Sequence, residues 1–210
     1  EFVEDHAFSR QSVELNAVRT RAEETGIAQG SAAQAELLRV LVHMIGASSV
    51  IAVGTGSVVE TLQLVNGLEN GGQLTAVDSS SQGIALIRTL FNHLSDEIQT
   101  TLRAVNAPAG VFLPRLNAET YDLIVVAGDP GNYDASFEQA PRLLKSHGVI
   151  VFTDMLAFES AESAGGVLNP ANRDAKSVAM RALLETVESD ERFVTTLTPT
   201  GTGLLVAVKR

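Results

Sequence analysis

The sequence predicts an α/β fold: a seven-stranded, mostly parallel sheet with helices on both faces, finished by a C-terminal antiparallel hairpin. Three observations carry that prediction. Apolar, β-branched runs alternate with amphipathic stretches along 210 residues without a long polar linker, the pattern of one layered α/β unit. Two of those runs, 122–127 and 148–153, are apolar almost throughout, as central parallel strands covered by helices on both faces should be. Two further strand patterns, 193–198 and 203–208, are separated only by a short turn holding Pro199, Gly201 and Gly203. That turn leaves no room for a helix, so the two strands form a hairpin.

Taken in order, residues 1–25 read as an exposed helix with scattered apolar positions at Phe2, Phe8, Val13, Leu15 and Val18. A loop with Gly26 and Gly30 leads to Ser31, a suitable N-cap for a helix over 32–45. Strands are expected at 49–53, 73–77, 101–105, 122–127 and 148–153, followed by the hairpin strands. Helices fill 57–66, 80–94, 109–116, 134–144 and 174–188, and Lys145-Ser146-His147-Gly148 reads as a helix end. The expected organisation is a single domain over 1–210, with N-terminal helices over 1–45 and an α/β core over 46–210.

Composition narrows the function. Hydrophobic residues make up 45% and charged residues 19%, an ordinary globular balance. A net charge of −10 argues against nucleic acid as a main partner, because phosphates are normally met by a basic face. The chain has no cysteine, which removes thiolate catalysis, Cys-ligated zinc and a disulfide framework. No apolar run approaches the roughly 18 residues of a membrane span, and no signal-peptide pattern opens the sequence. The expectation is a cytoplasmic protein without a membrane partner.

Three constellations carry chemistry. In the first, the strand Val50-Ile51-Ala52-Val53 ends in Gly54-Thr55-Gly56, and the next strand ends in Asp78. Glycines let backbone amides approach a ligand, and a carboxylate roughly 20 residues on suits a ribose hydroxyl. Together they fit an adenosine-containing cofactor. A dinucleotide fingerprint would place a third glycine at position 59, where the sequence has Val59. A plain strand-to-helix turn at Gly54, and a helix cap at Asp78, are the alternatives. The second constellation is the loop after 122–127, which holds Asp129, Asn132 and Tyr133; the third is Thr153-Asp154-Met155. Both lie at the carboxyl ends of strands, where open α/β sheets bind ligands. Asp129 and Asp154 are expected on neighbouring strand ends, close enough to share a cation, although Mg²⁺ and Ca²⁺ usually take more oxygen ligands; a loop cap or turn role for each is the alternative. His6, His43, His93 and His147 show no metal-ligand spacing, and no P-loop or nucleophile elbow is present.

With these constellations in order, the chain from about residue 30 to 209 resembles the S-adenosylmethionine-dependent O-methyltransferases of the catechol and caffeoyl-CoA type. That family's E-x-G-T-x-x-G-Y-S lies over Ala52 to Glu60, and its acidic residue after the second strand over Asp78. Its Y-D-x-x-F-I-D-A-D-K-x-x-Y lies over Tyr121-Asp122 through Tyr133, and its L-L-x-x-G-G-x-x-x-x-D-N over Leu143-Leu144 through Asp154-Met155. Its P-x-G-D-G-L lies over Pro199 to Leu204, with a terminal lysine at Lys209. Asn172-Arg173-Asp174-Ala175 and Asp190-Glu191-Arg192 look like an actinobacterial branch.

The resemblance implies a Rossmann-like class I methyltransferase fold and S-adenosylmethionine as cofactor. It implies cofactor binding by Gly54, Thr55, Gly56, Asp78, Ser79 and Ala127, a small hydroxylated acceptor, and a homodimer built through the N-terminal helix. The departures are specific. The family's three metal-ligand positions fall on Ala127, Asp154 and Met155, and its catalytic lysine on Pro130. These leave a divalent metal in doubt, since methyl and thioether groups are poor ligands for hard cations, so no metal site is assigned. Without the cation, Asp129 or Asp154 serves as general base, with Tyr133 orienting the acceptor. A cofactor-binding protein without catalysis and a nicotinamide-dependent oxidoreductase are the competing readings; Val59 and the hairpin count against the second. Residues 160–169, rich in Gly, Ala and Ser, read as a lid over the pocket or a surface loop.

Overall fold

The computed structural model describes residues 1–54, 57–158 and 165–210. Helices α1 (Phe2–Ser9), α2 (Val13–Glu24) and α3 (Ala32–Met44) precede the alternating core of β1 (Ser49–Val53), α4 (Val58–Gly67), β2 (Gln73–Asp78), α5 (Ser81–Leu94) and β3 (Thr101–Asn106). The chain continues through α6 (Ala109–Phe112), β4 (Tyr121–Val126), α7 (Pro130–Leu143), β5 (Leu144–Phe152), α8 (Ala175–Glu188), β6 (Phe193–Thr198) and β7 (Leu204–Lys209). The sheet has seven strands in the order β3-β2-β1-β4-β5-β7-β6. Strands β3, β2, β1, β4 and β5 pair in parallel; β7 runs antiparallel to both β5 and β6. The expected mostly parallel sheet with a terminal hairpin is therefore the observed one.

Why these strands are central follows from their side chains. Along β1, β4 and β5, alternate residues enter two separate cores. Val50, Ala52, Leu123, Val125, Val149 and Val151 face one, packed under α3, α4 and α5. Ile51, Val53, Ile124, Val126, Ile150 and Phe152 face the other, packed under α6, α7 and α8. A strand with both faces buried needs apolar residues at both phases of its two-residue period, which is what these runs supply.

Four local expectations are corrected. The helix expected over 1–25 is two, because Ser12 starts a new one: its Oγ accepts from Leu15 N at 3.1 Å. The helix expected over 109–116 ends at Phe112 and tightens into a 3₁₀ turn, Leu113–Arg115, where Pro114 has no amide to donate. The helix expected from 134 begins at Pro130, so Asn132 and Tyr133 lie in its first turn and not in a loop. Residues 145–148 are no helix end but part of β5. There the register against β4 slips between the pairs Tyr121–Leu144 and Leu123–Val149, and His147 takes a left-handed φ of 64°. The segment expected as a lid falls partly on residues 159–164, outside the described residues. Among the described residues no helix is long and apolar enough to cross a membrane.

Asp122 joins the starts of three strands. Its Oδ2 accepts from Ser48 N at 2.9 Å and Ser49 N at 3.0 Å, ahead of and within β1, while Lys145 Nζ of β5 donates to Oδ1 at 3.1 Å. Burial disfavours its charged form, but these donors outweigh burial and hold its carboxyl below the usual carboxylate range. A carboxylate depressed in the folded state adds stability above its unfolded pKa and loses it as pH falls through the folded one. Asp122→Asn is expected to destabilise the fold by about 1.5 kcal/mol near neutral pH, the scale of a charged hydrogen bond. The difference should shrink as pH falls below about 4; urea titrations across that range measure it.

Candidate active site

Strand β1 is flanked by β2 and β4, and the chain winds outward from it in both directions. In open α/β sheets the crevice at such a reversal, beyond the carboxyl ends of the strands, is where ligands bind. Gly54 sits there at φ +81°, and a Cβ on it would lie 2.6 Å from the carbonyl carbon of Ala127 and closer still to its oxygen. Only glycine fits that conformation at that approach. Gly54 N donates to Val77 O at 2.9 Å and Ala127 N to Val53 O at 2.9 Å, so the ends of β2, β1 and β4 are fixed together.

Beside them opens a cavity of about 1220 Å³. Its core-side wall is Gly54, Ser57, Asp78, Ser80, Gln82, Gly83 and residues 127–129; the opposite wall comes from Arg19, residues 27–31, Gln34 and the hairpin turn at Thr200, Gly201 and Thr202. Asp78 ends β2 and lines the cavity, and its Oδ1 accepts from Ser80 N at 3.0 Å. Ser79 lies next to it with its carbonyl held by Asn106 Nδ2 at 3.2 Å, and is not part of the wall. Thr55 and Gly56 fall outside the described residues. The amide of Val59, in the first turn of α4, donates to Gln29 Oε1 at 3.1 Å. The N-terminal segment thus meets the first turn of the helix that follows the glycine turn.

The three expected catalytic residues separate. Asp129 is exposed and lines the cavity, and as N-cap of α7 its Oδ1 accepts from Gly131 N at 2.8 Å. Asp154 is buried just after β5 in a left-handed conformation, φ 51°. Tyr133 is fully buried, and its hydroxyl donates to Thr153 O at 2.9 Å. It does not line the cavity; its phenol is turned into the core.

Sequence reasoning missed what connects Asp154 and Tyr133. Lys176, in the first turn of α8, places its Nζ 3.3 Å from Asp154 Oδ2, 3.3 Å from Gly128 O and 3.5 Å from Tyr133 OH, and 4.9 Å above the centre of the Tyr133 ring. The Asp154 side chain is 3% exposed, so this ammonium is its counter-charge. The two carboxylates are engaged separately, Asp154 by Lys176 and Asp129 by the Gly131 amide. Nothing local marks Lys176, whose partners lie 22 or more positions away in the sequence. The wall formed by residues 27–31 and 200–202 was missed for the same reason.

A divalent cation does not fit this donor set. Ala127 offers a methyl group and Met155 a thioether, and Asp154 already holds an ammonium. Among the described residues no three acidic or histidine side chains converge on one point. Lys176→Met leaves the Asp154 carboxylate buried without its partner and should destabilise the fold by roughly 3 kcal/mol. Adding Asp154→Asn should recover most of that loss. Chemical denaturation of the two single variants and the double variant measures the coupling, and additive effects would contradict it.

Comparison with known proteins agrees with this architecture. A sequence model described as O-methyltransferase matches residues 4–210. A chain of Mycobacterium marinum named as a candidate O-methyltransferase is 32% identical over 195 residues, covering 93% of this chain and 84% of the relative. One from Mycobacterium leprae is 33% identical over the same shares. Among solved structures, the O-methyltransferase of Bacillus cereus in complex with SAH superposes with a TM-score of 0.82 at 20% identity, covering 99% of this chain and 97% of that one. The O-methyltransferase TomG of Streptomyces achromogenes, in complex with SAM, gives 0.73 at 18% identity, covering 95% and 91%. These two likenesses concern the fold. On the family match and the mycobacterial relatives, the chain belongs to the O-methyltransferase family.

Proposed function

We propose that the protein transfers a methyl group from S-adenosylmethionine to an oxygen of a small hydroxylated acceptor, without a divalent cation. The observation that carries the reading is the cavity at the ends of β1 and β4, in which glycine backbone and the Asp78 carboxylate face one wall-to-wall space. The ligands named for the Bacillus cereus and Streptomyces achromogenes structures support the choice of cofactor. A nicotinamide cofactor is disfavoured by Val59 at the place of its third glycine.

When bound, the cofactor would supply an electrophilic methyl carbon on a sulfonium, with S-adenosylhomocysteine as the leaving thioether once an acceptor oxygen takes the methyl group. The chain's own residues do the rest. Asp78 receives a ribose hydroxyl, Ser79 backs it from behind the wall, and the backbone at Gly54 and Ala127 receives the remainder. Asp129 takes the acceptor's proton at Oδ2, because its Oδ1 is held by Gly131 N. Asp154 and Tyr133 act one layer back, holding the Lys176 ammonium against Gly128 at the cavity wall. The N-terminal segment, which forms the opposite wall through Arg19 and residues 27–31, covers the site and limits water.

We take the assembled state to be a homodimer, on the strength of the exposed apolar residues Phe2, Val3, Phe8 and Val13 of α1 and α2; light scattering at twice the chain mass is the expected result. The activity is tested by transfer of labelled methyl from S-adenosylmethionine to a panel of catechols and phenols, in excess EDTA and again with Mg²⁺. Equal turnover in the two conditions is expected. Turnover that appears only with Mg²⁺ would contradict the metal-free reading, and S-adenosylmethionine binding without turnover of any acceptor would favour a non-catalytic protein.

A further inference from the structure

Arg19 is the only basic side chain on the cavity wall among the described residues. It comes from α2, is 8% exposed, and has two of its donors placed: Nη1 donates to Gly30 O at 2.9 Å and Nε to Gln11 Oε1 at 3.4 Å. Its guanidinium carbon stands 5.6 Å from the centre of the Phe8 ring. The remaining nitrogen, Nη2, is buried without a hydrogen-bond partner, and so is Nε2 of the adjoining Gln11. No carboxylate of the described residues lies within 4.0 Å of the guanidinium. Glu4, an acidic side chain on the same wall, is engaged at the start of α3, where Ser31 Oγ and the amides of Ala32 and Ala33 donate to it.

A buried guanidinium with an unmet donor and no counter-charge is unfavourable by itself. A cationic fork with an unmet donor on the cavity wall suits a carboxylate, which arginine binds with its planar guanidinium. The volume, about 1220 Å³, exceeds the roughly 300–1000 Å³ of a common small-molecule pocket and leaves room for a cofactor and an acceptor together. We propose that Arg19 forms a carboxylate-binding subsite of this cavity, met either by the amino-acid carboxylate of the cofactor or by a carboxylate on the acceptor. The proposal rests on the reading of the cavity as a methyltransferase site.

Calorimetric titration of the full chain and of Arg19→Met separates these cases. In one arm the titrants are S-adenosylhomocysteine and its decarboxylated analogue. If the cofactor supplies the anion, Arg19→Met weakens S-adenosylhomocysteine at least tenfold and leaves the analogue unchanged. In the other arm, 3,4-dihydroxybenzoate and catechol are titrated onto the S-adenosylhomocysteine complex. If the acceptor supplies the anion, the variant loses at least tenfold for the benzoate alone. Arg19→Lys, which keeps the charge without the fork, should fall between wild type and Arg19→Met, and guards against a variant that merely unfolds. Normal S-adenosylhomocysteine binding by the wild type with no selective loss in either arm overturns the subsite alone. Failure of the wild type to bind S-adenosylhomocysteine overturns the cofactor reading and the subsite with it.

Discussion

The approach of Gly54 to the backbone of Ala127 is the constraint on which the rest of the structure depends. A side chain at Gly54 would drive the end of β1 away from β4. These are the two strands at the reversal of the sheet, each buried on both faces. Their contact sets where Asp78, Gly128 and Asp129 stand relative to one another, because each follows directly from a strand end or its first turn. Interiors this closely packed transmit such shifts and do not absorb them. The cavity is therefore a product of strand register and a single missing Cβ, on which the covering helices are then laid.

Within that frame the cationic chemistry of the site is supplied by the chain. A carboxylate as deeply buried as that of Asp154 needs a partner, and Lys176 reaches it from α8 while also contacting Gly128 at the cavity wall. An ammonium is a compact cation with three donors, and here it draws α8, the end of β4 and the end of β5 together. It satisfies the carboxylate, and among the described residues no three acidic or histidine side chains converge there. On the opposite wall Arg19 brings a second positive charge from an element outside the sheet. A chain with a net charge of −10 thus keeps one cation on the cavity wall and another just behind it.

What could be read from the sequence follows from the range of the interactions involved. The central strands were legible because two-sided burial forces apolar residues into both phases of the period. The hairpin was legible because its turn residues leave no alternative. Asp78 and Gly54 fell where they were expected, since the strand ends that hold them are marked by local composition. The break at Ser12 and the helix start at Asp129-Pro130 also carry local capping signals, yet scattered apolar positions and the reading of residues 128–133 as a loop obscured them. The slip in β5 depends on how Tyr121 and Leu123 pair across the sheet. The roles of Tyr133 and Lys176 depend on contacts 20 or more residues apart. Neither has a signature within its own segment. The family resemblance supplied the cofactor and the vacant ligand positions, but the replacement cation is visible only in three dimensions.

The central claim is that the crevice between the ends of β1 and β4 is the cofactor site and needs no divalent metal. A crystal structure of the protein grown with S-adenosylhomocysteine in EDTA tests it directly. The account predicts the ligand beside Gly54 and Ala127, with a ribose hydroxyl on the Asp78 carboxylate and Lys176 still on Asp154. Ligand density elsewhere, or a crevice that takes the ligand only when Mg²⁺ is restored and Lys176 is displaced, would contradict it.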